Sequence, residues 1–303
     1  MNFNNYIFRS SMEGQIRCPN KPLTTNQAET LNDYRERAKG IGRPLTDKQK
    51  ETWHSLEAKF TESQKYTLSD GQKNILNDIV FYEKWGRMKS LEAKYLDKGN
   101  EVEKESRDVL SRMLGIPLTA DEERKSNDWV TGKRDIQHDE VIIDIKSKWD
   151  FNTFNKCLTD RTNEVYLCQL DNYMDLWNCK SALLAHVLVD TPFYLVEREL
   201  KRMDFTDNIL DINGNVRDEN VQDVVSLVEQ HIYTRKGLED FCQQSINVEI
   251  EWFSDFVEIP EAERVHMVSH NYDAIRIEQR NESIKVAREY MNTVKPLNNI
   301  IKL

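Results

Sequence analysis

The sequence lacks the apolar segments that mark membrane and exported proteins. None of its hydrophobic runs approaches the roughly 20 residues that a membrane-spanning helix needs. The first residues, MNFNNYIFRSSMEGQ, contain no basic stretch followed by an apolar core, which is the pattern of a secretory signal peptide. We therefore expect a cytoplasmic protein that does not associate with a membrane.

The cysteines and histidines offer no framework for zinc or disulfides. None of the five cysteines belongs to a C-x-x-C pair, and their number is odd. The six histidines show no spacing typical of metal ligands. We expect reduced, buried thiols, as is usual in the cytoplasm.

An excess of basic charge is also absent. The chain of 303 residues carries 42 Lys and Arg against 52 Asp and Glu, which gives a net charge of −10. This balance argues against a passive coat on nucleic acid, which would be basic. It allows an enzyme with a local basic groove, because carboxylates that hold metal ions also contribute to the formal charge.

Helical patterns dominate the first third of the chain, and we predict a helical region over residues 1–95. Thr24, Thr46 and Ser69 each follow a leucine and precede a glutamine by three residues. A hydroxyl residue and a glutamine at this spacing can close a capping box at the first turn of a helix. We therefore expect three similarly capped helices.

The rest of the chain mixes helix and strand patterns, which favours an α/β fold. We predict a core over residues 96–195 and a C-terminal α/β extension over 196–303 that packs on it. The predicted elements are a helix at 100–114, strands at 128–136, 140–147 and 182–189, a helix at 163–178, a strand-like stretch at 193–196, a helix near 220–243, a strand near 265–269 and a final helix at 272–292.

One predicted strand carries two charged residues on the same face. In DEVIIDIKSKWD (139–150), Asp144 and Lys146 interrupt an apolar run, and side chains two residues apart on a strand project the same way. Burying them costs several kcal/mol unless they are paired or hold a metal. A hairpin through the polar segment QHDE would bring Asp135 close to Asp144. Two adjacent carboxylates call for a cation, and oxygen ligands select Mg²⁺ or Mn²⁺.

An aspartate followed by D-x-K on a strand resembles the PD-(D/E)XK nuclease superfamily. Asp135, Asp144 and Lys146 carry this resemblance. Arg134 stands where the superfamily usually has proline. The implied fold is α/β, with a restriction-endonuclease-like central mixed β-sheet flanked by helices and here preceded by the helical N-terminal region.

Two further motifs narrow the resemblance to the lambda-exonuclease and YqaJ-like viral recombinase group, which is of RecB type. Residues Gly99 to Glu103 fit the G-x-x-x-E of a helix upstream of the hairpin. Residues Gln169 to Tyr173 fit the Q-x-x-x-Y of the helix that follows the strand, where positions four apart share one face. All these motifs occur in the group's order between about residues 99 and 189.

The resemblance implies a role for each matching residue. Asp135 and Asp144 would ligate Mg²⁺, for which Mn²⁺ can substitute, with the backbone carbonyl of Ile145 as a third ligand. Glu103 would ligate the metal directly or through water. Lys146 would position or activate the attacking water.

The following helix and the basic segments would handle DNA. Gln169 would hydrogen-bond a phosphate or the water on the metal, and Tyr173 would help orient the strand. Basic side chains near the site suit phosphate contacts, Trp149 offers a ring for base stacking, and the N-terminal Arg-Ser-Ser resembles a segment that binds a terminal 5′-phosphate. The residues predicted to bind DNA are Arg9, Ser10, Ser11, Lys133, Arg134, Lys148 and Trp149.

The function implied is a metal-dependent exonuclease that digests linear double-stranded DNA from its ends, 5′ to 3′, in phage-type recombination. A single-strand annealing protein as partner and a ring-shaped homo-oligomer are implied with it, in the cytoplasm of a bacterial host. Three alternatives stay open. They are a structure- or sequence-specific endonuclease on the same site, a cluster-bearing nuclease, against which the scattered cysteines argue, and a non-catalytic DNA-binding subunit with a relic nuclease fold.

Overall fold

The computed structural model describes residues 1–18, 23–63, 65–87, 94–121 and 123–294, and these form twelve α-helices and seven β-strands. The strands are β1 Phe8–Arg9, β2 Arg124–Ser126, β3 Val130–Lys133, β4 Ile136–His138, β5 Val141–Ser147, β6 Ser181–Val187 and β7 Val265–Asn271. The helices are α1 Ser10–Glu13, α2 Thr25–Ala38, α3 Asp47–Ser63, α4 Asp70–Trp85, α5 Lys94–Glu101, α6 Glu103–Leu114, α7 Phe151–Thr159, α8 Glu164–Trp177, α9 Phe193–Asp207, α10 Val221–Glu229, α11 Arg235–Gln244 and α12 Ala274–Thr293.

The chain divides into two compact units that are discontinuous in sequence. The N-terminal unit comprises Met1–Lys89, Lys125–Gly132 and Asp273–Leu303, and the sheet unit comprises Ser90–Arg124 and Lys133–Tyr272. The domain boundaries that we placed after residues 95 and 195 stay a prediction.

In the N-terminal unit, the three predicted helices are present as α2, α3 and α4. Thr24 and Ser69 cap α2 and α4 through reciprocal bonds with the glutamines three residues later. Thr46 does the same for α3, with its backbone N–H donating to Gln49 Oε1 at 3.0 Å and its Oγ1 accepting from Gln49 N at 3.3 Å. The capping boxes therefore start these helices at the positions that the sequence predicts.

The sheet unit is built around a mixed sheet in the order β4–β5–β6–β7. β5 runs parallel to β6, and the two outer strands run antiparallel to their neighbours. Helix α6 packs on one face of β5 and β6, and α8 packs on the other. This arrangement confirms the prediction of an α/β fold with a restriction-endonuclease-like central mixed sheet flanked by helices.

The two faces of this sheet bury different sets of side chains. Alternate residues of β5, Ile143 and Ile145, belong to the apolar cluster beneath α6. Ile142 belongs to the cluster beneath α8, whose centre includes Leu170 and Leu184. Since side chains alternate along a strand, Asp144 and Lys146 lie on the same side as Ile142, facing α8.

Three predicted elements differ from the structure. Residues 128–136 are not one hairpin strand, because β3 pairs in parallel with β1 and only β4 pairs with β5. The predicted strand at 193–196 is the first turn of α9. The single helix predicted near 220–243 is two helices, because Thr234 caps a new helix, α11.

Among the helices formed by the described residues, none combines the length and apolar composition needed to cross a membrane.

Candidate active site

The two aspartates of the motif meet at the junction of β4 and β5. Asp135 precedes β4, and its Oδ2 accepts a hydrogen bond of 2.9 Å from the backbone N–H of Ile145. Asp144 lies on β5 and is 1% exposed. Because Ile136 pairs with Ile143 across the hairpin, the sequence-distant Asp135 is fixed beside Asp144. The prediction that the hairpin brings these carboxylates together is confirmed.

The electrostatics of this pair are unfavourable without a cation. Burial raises the pKa of Asp135, and the nearby carboxylate of Asp144 raises it further, while Lys146 and the Ile145 N–H lower it. The net effect is a pKa well above that of an ordinary aspartate. A carboxylate whose pKa is raised by a neighbouring carboxylate gains a proton or a cation.

Lys146 supplies one positive charge to the site. Its Nζ lies 2.8 Å from Asp144 Oδ2, and its side chain is 23% exposed. Burial lowers the pKa of Lys146, but Asp144 and Asp135 outweigh burial and raise it above its usual range. The ammonium is therefore protonated at neutral pH and keeps one side open to solvent.

The donor set fits a divalent metal in one specific respect. Asp144 Oδ1 is buried and has no hydrogen-bond partner, whereas Oδ2 is held by Lys146. A buried carboxylate oxygen without a partner carries a desolvation cost that a hard cation would offset. Asp144, Asp135 and the carbonyl of Ile145 are the oxygens at hand. Across the described residues, no group of three His, Cys, Asp or Glu side chains is gathered closely enough to hold a metal by itself.

Glu103 is near this pair without joining it. It begins α6, on the side of the sheet opposite Asp144, and its side chain is 59% exposed. Its Oε1 lies 3.6 Å from Arg107, one turn along the helix. Its charge contributes to the raised pKa of Asp135. The ligand role of Glu103 stays a prediction and requires a rotation away from Arg107.

Gln169 and Tyr173 face the site together from α8. Gln169 Nε2 donates to Tyr173 Oη at 2.8 Å, and both side chains are more than nine-tenths buried. Burial raises the pKa of Tyr173 to about 12, with a further contribution from Asp144. The phenol is thus neutral and lies within electrostatic range of the aspartate pair. The prediction that these two residues share a helical face is confirmed.

Residues that the sequence motifs did not single out complete this face. Tyr166, one turn before Gln169, places its ring centroid 5.3 Å from Lys146 Nζ and 5.8 Å from Lys148 Nζ. His186 is the register partner of Lys146 on β6 and is buried. Burial and then the neighbouring cations, of which Lys148 has the largest effect, together lower the pKa of His186 to about 3. Only the pairing of β5 with β6 reveals this neighbour, so no local motif could have identified it.

Lys133 and Arg134, two basic residues next to the site, differ in their contacts. Lys133 is exposed. Arg134 donates from Nε to Asp121 at 2.5 Å, also binds Gln137, and stacks 4.7 Å above the ring of Trp177. A phosphate would have to compete with these internal contacts of Arg134.

Trp149 is 6% exposed, and its ring meets His231 edge to face at 5.1 Å. It borders a cavity of about 580 Å³ whose lining, among the described residues, includes four carboxylates and no lysine or arginine. A cavity of this charge does not suit a DNA backbone. The stacking role predicted for Trp149 would need the ring to become exposed.

The N-terminal residues predicted to bind DNA lie in the N-terminal unit. Ser10 is 1% exposed, and its Oγ donates to the carbonyl of Thr131 at 3.0 Å. Arg9 and Ser11 on either side of it are exposed. The hydroxyl of Ser10 therefore holds the local structure, and a phosphate contact from Arg9 or Ser11 stays a prediction.

Comparisons with known proteins agree with this fold. Neither a protein-family model nor a curated protein matches the sequence. Among solved structures, a phage-related exonuclease from Haemophilus somnus 129PT aligns over 95% of this chain and 94% of its own, with a TM-score of 0.57 and 20% identity. An alkaline exonuclease from Laribacter hongkongensis aligns over 75% of this chain and 82% of its own, with a TM-score of 0.45 and 10% identity. At this identity, the first similarity establishes a shared fold.

Proposed function

We propose that this chain is a metal-dependent DNA exonuclease of the PD-(D/E)XK type that degrades linear double-stranded DNA, 5′ to 3′. One observation carries the proposal. The buried, unpartnered Oδ1 of Asp144 lies in a cluster with Asp135 and Lys146, on a face that also presents Gln169 and Tyr173. A relic fold that only binds DNA would have no need for a buried carboxylate next to a second, partly buried one. The exonuclease fold of the phage-related neighbour supports the same class.

The metal proposed is Mg²⁺, with Mn²⁺ as a substitute. Asp135, Asp144 and the Ile145 carbonyl would hold it, with Glu103 joining after release from Arg107. When bound, such an ion offsets the negative charge that builds on a phosphate and lowers the pKa of a coordinated water.

The side chains around the metal position would bind and orient the water and the phosphate. Hydrolysis joins a water oxygen to phosphorus and breaks a bond from phosphorus to a sugar oxygen. The ammonium of Lys146, fixed by Asp144, can orient that water and stabilise the charge developing on the phosphate. Gln169 and Tyr173 offer an amide and a phenol as hydrogen-bond donors to phosphate oxygens. Their mutual bond keeps both groups oriented before DNA arrives.

The test is the degradation of end-labelled linear duplex DNA with Mg²⁺ by the wild type and Lys146→Ala. We expect Lys146→Ala to lower the rate by about 100-fold or more, because it removes the ammonium that pairs with Asp144. Lys104→Ala is the control, since Lys104 is 80% exposed and pairs with Asp108 on the surface of α6. Equal rates for the wild type and Lys146→Ala would refute the site, and an inactive wild type with Mg²⁺ or Mn²⁺ would refute the nuclease.

The mode of attack is tested on closed circular duplex DNA. An exonuclease leaves the circle intact, whereas a structure- or sequence-specific endonuclease on the same site linearises it. Labels on the 5′ or the 3′ ends of the linear duplex give the polarity. A recombination role further predicts binding to a single-strand annealing protein and assembly into a homo-oligomer, which sedimentation of the two proteins together would measure.

A further inference from the structure

At the end of β5, Lys146 of the D-x-K motif forms a cluster with Lys148 and Tyr166, which belong to none of the sequence motifs. Lys146 and Lys148 are two residues apart, and the backbone N–H of Lys148 donates to Val187 at 2.8 Å, so the strand pairing continues past Ser147. Their side chains therefore project from the same face. Two ammonium groups placed side by side repel each other unless something between them is negative.

The ring of Tyr166 supplies that negative element. Its centroid lies 5.3 Å from Lys146 Nζ and 5.8 Å from Lys148 Nζ, within the range in which the face of an aromatic ring attracts a cation. Lys146 is thus held on one side by the Asp144 carboxylate and on another by this ring. Tyr166 lies on α8, three residues before Gln169, so the same helix positions the ring and the amide.

A row of rings continues from Tyr166 across the sheet. His186 lies 6.1 Å from His266 with an interplanar angle of 10°, and 6.3 Å from Tyr166 with an angle of 54°. Lys146, His186 and His266 are register partners across β5, β6 and β7, so the row follows the sheet. The depressed pKa of His186, caused first by burial, keeps its ring neutral at pH 7. His186 therefore packs behind the two lysines without adding a third positive charge.

We propose that Tyr166 is a positioning residue that gathers Lys146 and Lys148 beneath the DNA strand, with Lys146 facing the scissile phosphate and Lys148 facing the neighbouring phosphate of the same strand. This inference rests on the proposed nuclease function. A cation that is ordered before substrate arrives loses less freedom on binding a phosphate. The aromatic ring is the part of Tyr166 that acts, and its hydroxyl is dispensable.

The test compares Tyr166→Leu with Tyr166→Phe on linear duplex DNA. Removal of the ring should lower kcat by about 10-fold, since a partly desolvated cation–ring contact is worth up to about that factor. Tyr166→Phe keeps the ring and should restore kcat to within about twofold. A rate for Tyr166→Phe as low as that for Tyr166→Leu would overturn the proposal, and so would a Tyr166→Leu rate equal to wild type.

The chain offers a matched control for the loss of a partly buried ring. Tyr272 packs against the same apolar cluster as Tyr166, and Lys180 Nζ lies 4.6 Å from its centroid. Lys180 precedes β6, at the end of the sheet opposite His186. Tyr272→Leu should lower the melting temperature about as much as Tyr166→Leu while leaving kcat unchanged. Equal losses of kcat in both variants would reduce Tyr166 to a packing role and overturn the proposal.

Lys148 gives a second measurement that packing alone would not move. Lys148→Ala should raise KM and make KM less sensitive to salt by about one phosphate contact, with kcat nearly preserved. An unchanged salt dependence would contradict the phosphate contact.

A chemical measurement separates this proposal from the proposed function. The acetylation rate of Lys148 by acetic anhydride, followed by mass spectrometry, should rise several-fold in Tyr166→Leu and stay at the wild-type value in Tyr166→Phe. If the wild type degraded no DNA, the nuclease function would fail, and these rates would still decide whether the ring holds Lys148. Equal rates in all three proteins would overturn the positioning role itself.

Discussion

The two faces of β5 have different roles, because one packs in the apolar core and the other carries charged residues. On the side of α6, Ile143 and Ile145 join an apolar cluster with Val109 and Val187. On the side of α8, the alternate positions carry Ile142, Asp144 and Lys146, so the apolar core stops where the charged residues begin. A strand buried on both faces is normally apolar throughout. The charged pair therefore departs from what the fold requires and marks the site.

Strand β5 combines a rigid, packed face with a face that carries the charged residues of the candidate site. The apolar face anchors β5 against α6, and the register with β4 and β6 fixes each residue along the strand. The opposite face then holds Asp144 next to Asp135, which precedes β4 and is fixed by the hydrogen bond from the Ile145 N–H. Functional groups held on a packed scaffold are placed more accurately than groups on loops.

The first prediction places a charge on the apolar face of β5. Ile143→Asp would bury an unpaired carboxylate in the apolar cluster, where Ile143 is 2% exposed. We expect it to cost about 4 kcal/mol or more of unfolding free energy, or to leave no cooperative transition in urea. Ile143→Val keeps the face apolar and should cost about 1 kcal/mol. Similar urea midpoints for the two variants would contradict the division into an apolar and a charged face.

The second prediction concerns the acid sensitivity of the α8 face. The pKa of His186 is about 3 in the folded chain, against about 6.5 for a free histidine, so below pH 6.5 the unfolded chain binds a proton that the folded chain does not. Its contribution to stability is complete above pH 6.5 and is lost as the pH falls towards 3. Between pH 6.5 and 5, we expect a loss of about 2 kcal/mol from this group.

Urea unfolding of His186→Gln at several pH values measures that loss. The variant should show a shallower fall of unfolding free energy below pH 6.5 than the wild type. His138→Gln serves as control, because the His138 side chain is 42% exposed. A wild-type slope in His186→Gln would show that the acid sensitivity arises elsewhere.

Some contacts around β5 can be predicted from the sequence, and others cannot. The period of two along a strand places Asp144 and Lys146 on one face, and the period of the helix places Gln169 with Tyr173, so local geometry sufficed for both pairs. The N-terminal capping boxes were equally local. The neighbours of Lys146, namely Tyr166 and His186, depend on which strands and helices pack together, and no pattern along the chain specifies that.

The errors in the predicted elements have similar physical causes. The apolar run at 193–196 fits a strand or a helix, and the longer helical pattern after it decides for α9. The strand signal at 128–136 has two different partners, because β3 pairs with the distant β1 and β4 pairs with β5. Asp135 lies in the break between β3 and β4. The ion pair of Glu103 with Arg107 could not be predicted either, because a helical face of alternating charge permits several pairs.

We propose that Asp135 and Asp144 form a divalent-cation site in which the metal relieves the repulsion between the two carboxylates. The raised pKa of Asp135, caused by burial and then Asp144, means that the folded chain holds this proton more tightly than the unfolded chain. The metal-free fold therefore loses stability as the pH rises through that pKa. Asp135→Asn removes the charge and keeps an oxygen for the Ile145 N–H.

The most direct measurement is the unfolding free energy at pH 8 of the wild type and Asp135→Asn, with and without Mn²⁺. Without metal, Asp135→Asn should be the more stable by about 1 to 3 kcal/mol, and Mn²⁺ should stabilise only the wild type. Asp139→Asn, in an exposed turn where Asn tolerates the positive φ of 51°, should behave as wild type. If Mn²⁺ stabilised the wild type and Asp135→Asn equally, or neither of them, the carboxylate pair would not be a metal site.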